Sequence, residues 1–169
     1  MIEAVLFDFG ETLVERVVDD VVPLTELPIT PFADAAPALE RLTRAGCRLA
    51  VVSNTSLTSG VQMRTVLQAA GLERFLDAVV TSFDARSEKP HPAIFLRALE
   101  LLACPPRHAA MVGNDLVADV GGAAAVGMTT VLVARDGAPA AATGTATPTF
   151  TVSSLLDVPG LLGVVAPPA

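Results

Sequence analysis

The chain has 169 residues, about half of them apolar, and a formal net charge of −7. That length supports one domain with a real core, and the apolar content excludes disorder. The acidic balance, the lack of a Lys/Arg cluster and the absence of Trp and Tyr argue against nucleic acid as a partner.

In chain order, the first predicted strand is Ala4–Phe7, an apolar run that stops at Asp8. Glu3 and Asp8 interrupt the run too early for a signal peptide. A Gly10-Glu11-Thr12 turn follows, and Val14–Pro31, with its scattered prolines, reads as a loop or small flap. Asp34–Ala45 predicts a helix stopped by Gly46. Strand Leu49–Ser53 runs into Ser53-Asn54, and helix Leu57–Ala70 ends at Gly71. Strand Ala78–Thr81 precedes Ser87-Glu88-Lys89-Pro90. The clearest helix is His91–Ala103, which carries Ile94, Phe95, Ala98, Leu101 and Leu102 on one stripe and opens with prolines. Strand Ala109–Val112 leads to Gly113-Asn114-Asp115 and then helix Leu116–Val126, with Asp119 one turn in. Strands Thr130–Val133 and Thr149–Val152 flank a Gly/Ala/Pro/Thr connector at Gly137–Thr147, and Ser153–Leu162 is the closing helix.

Continuous apolar strands alternating with helices predict a doubly wound, three-layer, Rossmann-like parallel α/β sheet. The expected unit is a single core over residues 1–163, with 14–31 as flap and 164–169 as a tail. Cys47 and Cys104 are far apart and form no CxxC, which points to a reduced, cytoplasmic setting and to small core side chains. No stretch reads as a membrane span. His91 reads as a helix-start residue and His108 as a loop residue.

In such a sheet, ligands sit beyond the carboxyl ends of the strands. The polar residues there are Asp8, Ser53 and Asn54, Lys89, Asn114 and Asp115, with Asp119 behind them. A carboxylate closing a buried strand is costly unless it has work to do. A nucleophile, hydroxyl and amide donors, a cation and a carboxylate/amide cluster are what phosphoryl transfer with Mg²⁺ requires.

The segments FDFGETL, VVSNTS, SEKPHPAIF and MVGNDLVADVGGAAAVGM resemble, in order, the four motifs of the haloacid dehalogenase-like superfamily. The tail TFTVSSLLDVPGLL is similar to the closing strand and helix of its phosphatase branch. The resemblance implies Asp8 as a nucleophile that forms an aspartyl-phosphate. It implies Ser53, with Asn54, as holder of the phosphoryl group, and Lys89 as the cation that neutralises both. It implies Mg²⁺ held by Asp8, the carbonyl of Gly10 and the acidic motif of Asn114, Asp115 and Asp119.

Two positions depart from that pattern. Gly10 stands where family phosphatases carry the Asp that protonates the leaving group, and Asn114 stands where a metal-binding carboxylate is common. Glycine keeps a carbonyl for the metal and loses the acid; an amide oxygen still ligates Mg²⁺, with less charge. Asp8 and Ser53 are separated by 44 residues and Ser53 and Lys89 by 35, room for a flap but no cap domain. The expected activity is Mg²⁺-dependent hydrolysis of a phosphate monoester or acyl phosphate, in an open site suited to a large substrate or to a lid borrowed from a second copy. Gly10 and Asn114 keep open a non-catalytic binding or assembly protein, and the superfamily's metal-free dehalogenases are a third reading.

Overall fold

The computed structural model describes residues 1–17, 21–135 and 146–164. Six parallel strands form one sheet: β1 (Ala4–Phe7), β2 (Arg48–Ser53), β3 (Ala78–Thr81), β4 (Ala109–Gly113), β5 (Thr129–Val133) and β6 (Phe150–Val152), in the order β3-β2-β1-β4-β5-β6. The chain winds outward from β1 to β3, then returns to place β4 beside β1. That reversal opens a crevice at the carboxyl ends of β1 and β4, where Asp8 and Asn114 stand.

β1 is buried on both faces, which is why it reads as an uninterrupted apolar run. Val5 and Phe7 face one core with Leu39 and Leu42 of helix α1 (Ala35–Arg44) and Met63 and Leu67 of α2 (Gly60–Ala69). Ala4 and Leu6 face a second core with Met111. Ile94 and Phe95 of α4 (Pro92–Leu101) belong to that core too, after a single turn α3 (Ser82–Ala85) that sequence periodicity does not foreshadow. The doubly wound, three-layer reading therefore holds. Among the described residues, neither gap between the predicted site residues contains a further domain: the first holds the flap, α1 and β2, the second α2, β3 and α3.

Three helices depart from expectation. α2 begins at Gly60 rather than Leu57, because Ser59 and Gln62 form a capping box there. The expected helix Leu116–Val126 is a π-helical turn, Leu116–Gly121, continued by the short α5 (Gly122–Ala125). The closing helix is a 3₁₀ turn, Leu155–Asp157, followed by α6 (Val158–Leu161). His91 does cap α4, through its Nδ1 and the N–H of Ala93, whereas His108 closes a 3₁₀ turn at Pro106–His108 instead of lying in a loop. The flap bridges Gly10 and Pro31 through Val14 and carries a 3₁₀ turn at Leu24–Glu26; residues 18–20 lie outside the described residues. The Gly137–Thr147 connector falls almost wholly outside them, as does the tail beyond Val164, which is itself buried in the core. Both cysteines are buried and free. No described helix is long and apolar enough to cross a membrane.

Candidate active site

Asp8 follows β1, and its N–H donates to the Val112 carbonyl of β4 at 2.9 Å, which continues the ladder past the strand end. Its carboxylate is largely buried, and Lys89 Nζ donates to Oδ1 at 2.6 Å. Lys89 also donates to Asp119 Oδ1 at 2.7 Å. The ammonium is almost entirely buried between the two acids. Burial alone would lower its pKa; Asp8 and Asp119 outweigh that and raise it above the ordinary value, so the cation is permanent.

Asn54 sets where Lys89 stands. Its Oδ1 accepts from the Lys89 N–H at 2.8 Å, and its Nδ2 donates to the Lys89 carbonyl at 3.0 Å. Asn54 thus grips the Lys89 backbone, and it also lines the cavity beside Asp8. Ser53, buried at the end of β2, lines the same cavity of about 240 Å³ as Asp8.

The acidic motif divides its labour. Asp115 Oδ1 accepts from the N–H groups of Val117 and Ala118, both at 2.7 Å, and caps the helical turn. The N–H groups of both Asp119 and Val120 donate to the Asp115 carbonyl, at 3.0 and 3.1 Å, which is the π turn. The turn carries the Asp119 side chain inward. Its Oδ2 accepts from the Asp115 N–H at 3.0 Å while Oδ1 takes Lys89. Gly113 permits this: a Cβ there would lie 2.2 Å from Asp119 Oδ2. Asp119 is thus a buried holder of Lys89 with both oxygens engaged. Burial pushes its pKa up to about 6, aided by Asp8 and opposed by Lys89.

Oxygen donors for a hard cation remain on the other side of Asp8. Thr12, fully buried, has one hydroxyl proton to share between Asp8 Oδ2 at 3.3 Å and Asn114 Oδ1 at 3.4 Å, so these two oxygens flank one hydroxyl. The backbone of Gly10 lines the same cavity. Among the described residues no three His, Cys, Asp or Glu side chains converge as a cage, and the oxygens gathered around Thr12 are one carboxylate with neutral donors. That donor set fits Mg²⁺, which takes few protein oxygens and retains water. Two carboxylates against one ammonium leave the floor with a net negative charge, which a divalent cation would reverse.

Gly10 is not in the left-handed region, and a Cβ there would meet only Val17 Cγ2, at 3.7 Å. A side chain is therefore sterically admissible at position 10. The left-handed residue is its neighbour Glu11, at φ 59°, a conformation that costs on the order of 1–3 kcal/mol in a non-glycine residue and persists only where its surroundings hold it. Glu11 lines the cavity, as do Val17 and Leu24 of the flap.

Three residues in this neighbourhood escape a reading by sequence: Thr12, Asp34 and Arg135. Thr12 is a hydroxyl inside a turn, distinguished only by the apolar Leu13 and Val14 after it. Asp34 and Arg135 are 101 residues apart, and only the sheet order makes them neighbours.

A family model described as haloacid dehalogenase-like hydrolase matches residues 24–127. Among curated proteins, the chain is 39% identical over 109 residues to a ribulose-1,5-bisphosphate 5-phosphatase of Halopiger xanaduensis, covering 64% of this chain and 44% of that one. It is 32% identical over 111 residues to an (S)-2-haloacid dehalogenase 4A of Burkholderia cepacia, covering 66% and 46%. The chain thus spans less than half the length of these relatives. Among solved structures, an uncharacterized protein from Listeria monocytogenes serotype 4b superposes with TM-score 0.85 at 28% identity, over 95% of this chain and 97% of that one. With the fold, the four strand-end motifs and a family match over more than half its length, this chain belongs to the haloacid dehalogenase-like hydrolases.

Proposed function

We propose that the protein is a phosphatase that transfers a phosphoryl group to Asp8 and hydrolyses the resulting aspartyl-phosphate. The observation that carries this reading is the Lys89 ammonium at 2.6 Å from Asp8 Oδ1, held on its far side by Asp119. An unscreened carboxylate repels a phosphate dianion; a fixed cation beside it stabilises the charge that accumulates as both meet. Phosphatase names among the relatives, such as the ribulose-1,5-bisphosphate 5-phosphatase, favour phosphorus over carbon as the centre attacked.

An Asp8 carboxylate oxygen forms the new bond to phosphorus as the bond to the ester oxygen breaks. Ser53 lines the cavity where a hydroxyl would donate to the transferred group. Asp8, the Gly10 carbonyl and Asn114 Oδ1 would hold Mg²⁺, with Asp115 beside them on the same cavity. Bound there, Mg²⁺ supplies positive charge to the phosphoryl oxygens. Position 10 offers no acid, so the leaving oxygen departs as an anion. The substrates favoured are those whose leaving oxygen is already acidic, namely acyl and aryl phosphates. Water then attacks the acyl phosphate, returning inorganic phosphate and the Asp8 carboxylate.

The test is turnover of an aryl phosphate with Mg²⁺ and with a chelator, in wild type and in Asp8→Asn. The expected outcome is Mg²⁺-dependent release of phosphate that Asp8→Asn abolishes. Turnover of a 2-haloacid in chelator would instead assign carbon–halogen hydrolysis, the activity for which the dehalogenase relative is named. Inactivity on both would leave the binding role.

A further inference from the structure

We propose that Asp34 and Arg135 form a positioning clamp for the nucleophile loop, acting on Asp8 and Asn114 through Thr12; this rests on the reading of Asp8 as nucleophile. Arg135 follows the end of β5 and meets Asp34, just before α1, as a two-pronged pair. Nη1 donates to Oδ2 and Nη2 to Oδ1, each at 3.0 Å. Asp34 Oδ2 also accepts from Ser154 Oγ at 3.0 Å and from the Leu155 N–H at 2.9 Å. The guanidinium stacks on the Phe32 ring, 3.7 Å from its centroid. Thus α1, the segment after β6 and the chain after β5 converge on one cation.

That cation has a further job. Nη2 also donates to the Thr12 carbonyl at 2.8 Å. Thr12 is the residue whose hydroxyl touches both Asp8 Oδ2 and Asn114 Oδ1. It directly follows Glu11, whose left-handed backbone needs outside support, and Gly10, which lines the cavity. Arg135 Nε is buried without a partner. The guanidinium is therefore aimed at Asp34 and Thr12 at the expense of its own full satisfaction. Only a planar fork delivers two bonds to a carboxylate and a third to a carbonyl from a fixed position; a lysine ammonium lacks that geometry.

The experiment compares wild type, Arg135→Ala and Arg135→Lys in the full chain. It records kcat and KM for an aryl phosphate with Mg²⁺, with and without added guanidinium ion. It also records the NMR signal of the Asn114 side-chain amide. Supporting residues around a metal or active site typically carry about 10–100-fold of activity. Arg135→Ala is expected to lower kcat by that order, to change KM by less than about three-fold, and to shift the Asn114 signal. Guanidinium ion is expected to restore part of the rate and to return the signal, while Arg135→Lys restores little. An Arg135→Ala protein with an unmoved Asn114 signal, or one whose lost rate guanidinium does not restore at all, overturns the clamp. Should Arg135→Ala fail to fold, Arg135→Lys carries the same readouts. If wild type shows no turnover, the phosphatase reading falls, and the Asn114 signal alone decides the positioning.

Discussion

At the floor of the site one ammonium, Lys89, lies between two buried carboxylates, Asp8 and Asp119; behind the nucleophile loop one guanidinium, Arg135, meets a single carboxylate, Asp34. The first cluster carries surplus negative charge and opens into the cavity. The second balances, and neutral groups add to it: Ser154 Oγ and the Leu155 N–H donate to the carboxylate, and the Thr12 carbonyl accepts from the cation. The difference follows from what each must do. A self-contained pair holds backbone in place and asks nothing of solvent. A cluster with negative charge left over is complete only when a cation enters, and its cost is borne by the rest of the fold.

Removing the cation from each cluster would break the comparison most severely. Lys89→Met leaves two carboxylates facing one another out of water, and stranding a buried charge costs about 3–5 kcal/mol. Turnover should vanish with it. The variant should also regain stability when one of the acids is protonated at low pH. Urea unfolding followed across pH, with phosphate release measured alongside, tests both. A Lys89→Met protein as stable as wild type at neutral pH would mean that the floor never carries two charges.

Gly10→Asp sharpens the same contrast by adding a proton donor beside the surplus-charge cluster. The backbone at position 10 accepts a side chain, with only Val17 Cγ2 at 3.7 Å to meet it. General acid catalysis contributes about 10²–10⁴-fold where the leaving oxygen needs a proton. Alkyl phosphates should therefore gain up to that range while aryl and acyl phosphates change little. The measurement is kcat/KM over a series of esters of graded leaving-group pKa, in wild type and variant. A wild type already indifferent to leaving-group pKa would name another donor, with Glu11 on the cavity wall the first to replace.

Most of the fold was legible because buried parallel strands announce themselves. Ala4–Phe7 and Ala78–Thr81 are bounded in the structure as they are in the sequence, and the other strands shift by a residue. That Asp8, Ser53, Lys89 and Asn114 line one cavity was legible for the same reason: Asp8 and Asn114 follow strands, Ser53 closes one, and Lys89 lies on the crossover after β3. What was hidden depends on backbone hydrogen bonding or on sheet order. The π turn that draws Asp119 inward arises from two N–H groups sharing the Asp115 carbonyl, which no apolar periodicity encodes. The grip of Asn54 on Lys89 joins two loops in adjacent crossovers. The Arg135 clamp needs β5 beside β4 and α1 against the segment after β6, a neighbourhood that exists only once the sheet is assembled.

The smallest effect separates the two clusters by pH. Burial is the largest influence on the Asp34 carboxyl and acts to raise its pKa, but the Arg135 fork, the Leu155 N–H and the Ser154 hydroxyl together lower it. With a folded-state pKa below the unfolded one, the unfolded chain binds the proton first. Asp34 therefore contributes stability above the ordinary carboxylate range and loses it as pH falls through the lowered value. Asp119 has the opposite sign: raised from 3.8 to about 6, it holds a proton in the folded state that the unfolded chain has released, so its contribution declines as pH rises through that window. Ser154→Ala removes one neutral donor from Asp34 and leaves the fork intact. A hydrogen bond to a charged group is worth about 1.5–3 kcal/mol, so the variant should unfold that much more easily at pH 7. The same hydroxyl also accepts from the Leu156 N–H at 3.2 Å, as a cap of the 3₁₀ turn. Loss of a cap costs the same at any pH, whereas loss of a donor to a carboxylate matters only while that carboxylate is charged. The gap between Ser154→Ala and wild type should therefore narrow as pH is taken below the ordinary carboxylate range, in urea or thermal unfolding at matched ionic strength. A gap that stays constant down to acid pH would assign the hydroxyl to the turn and leave Asp34 to Arg135 and the Leu155 N–H.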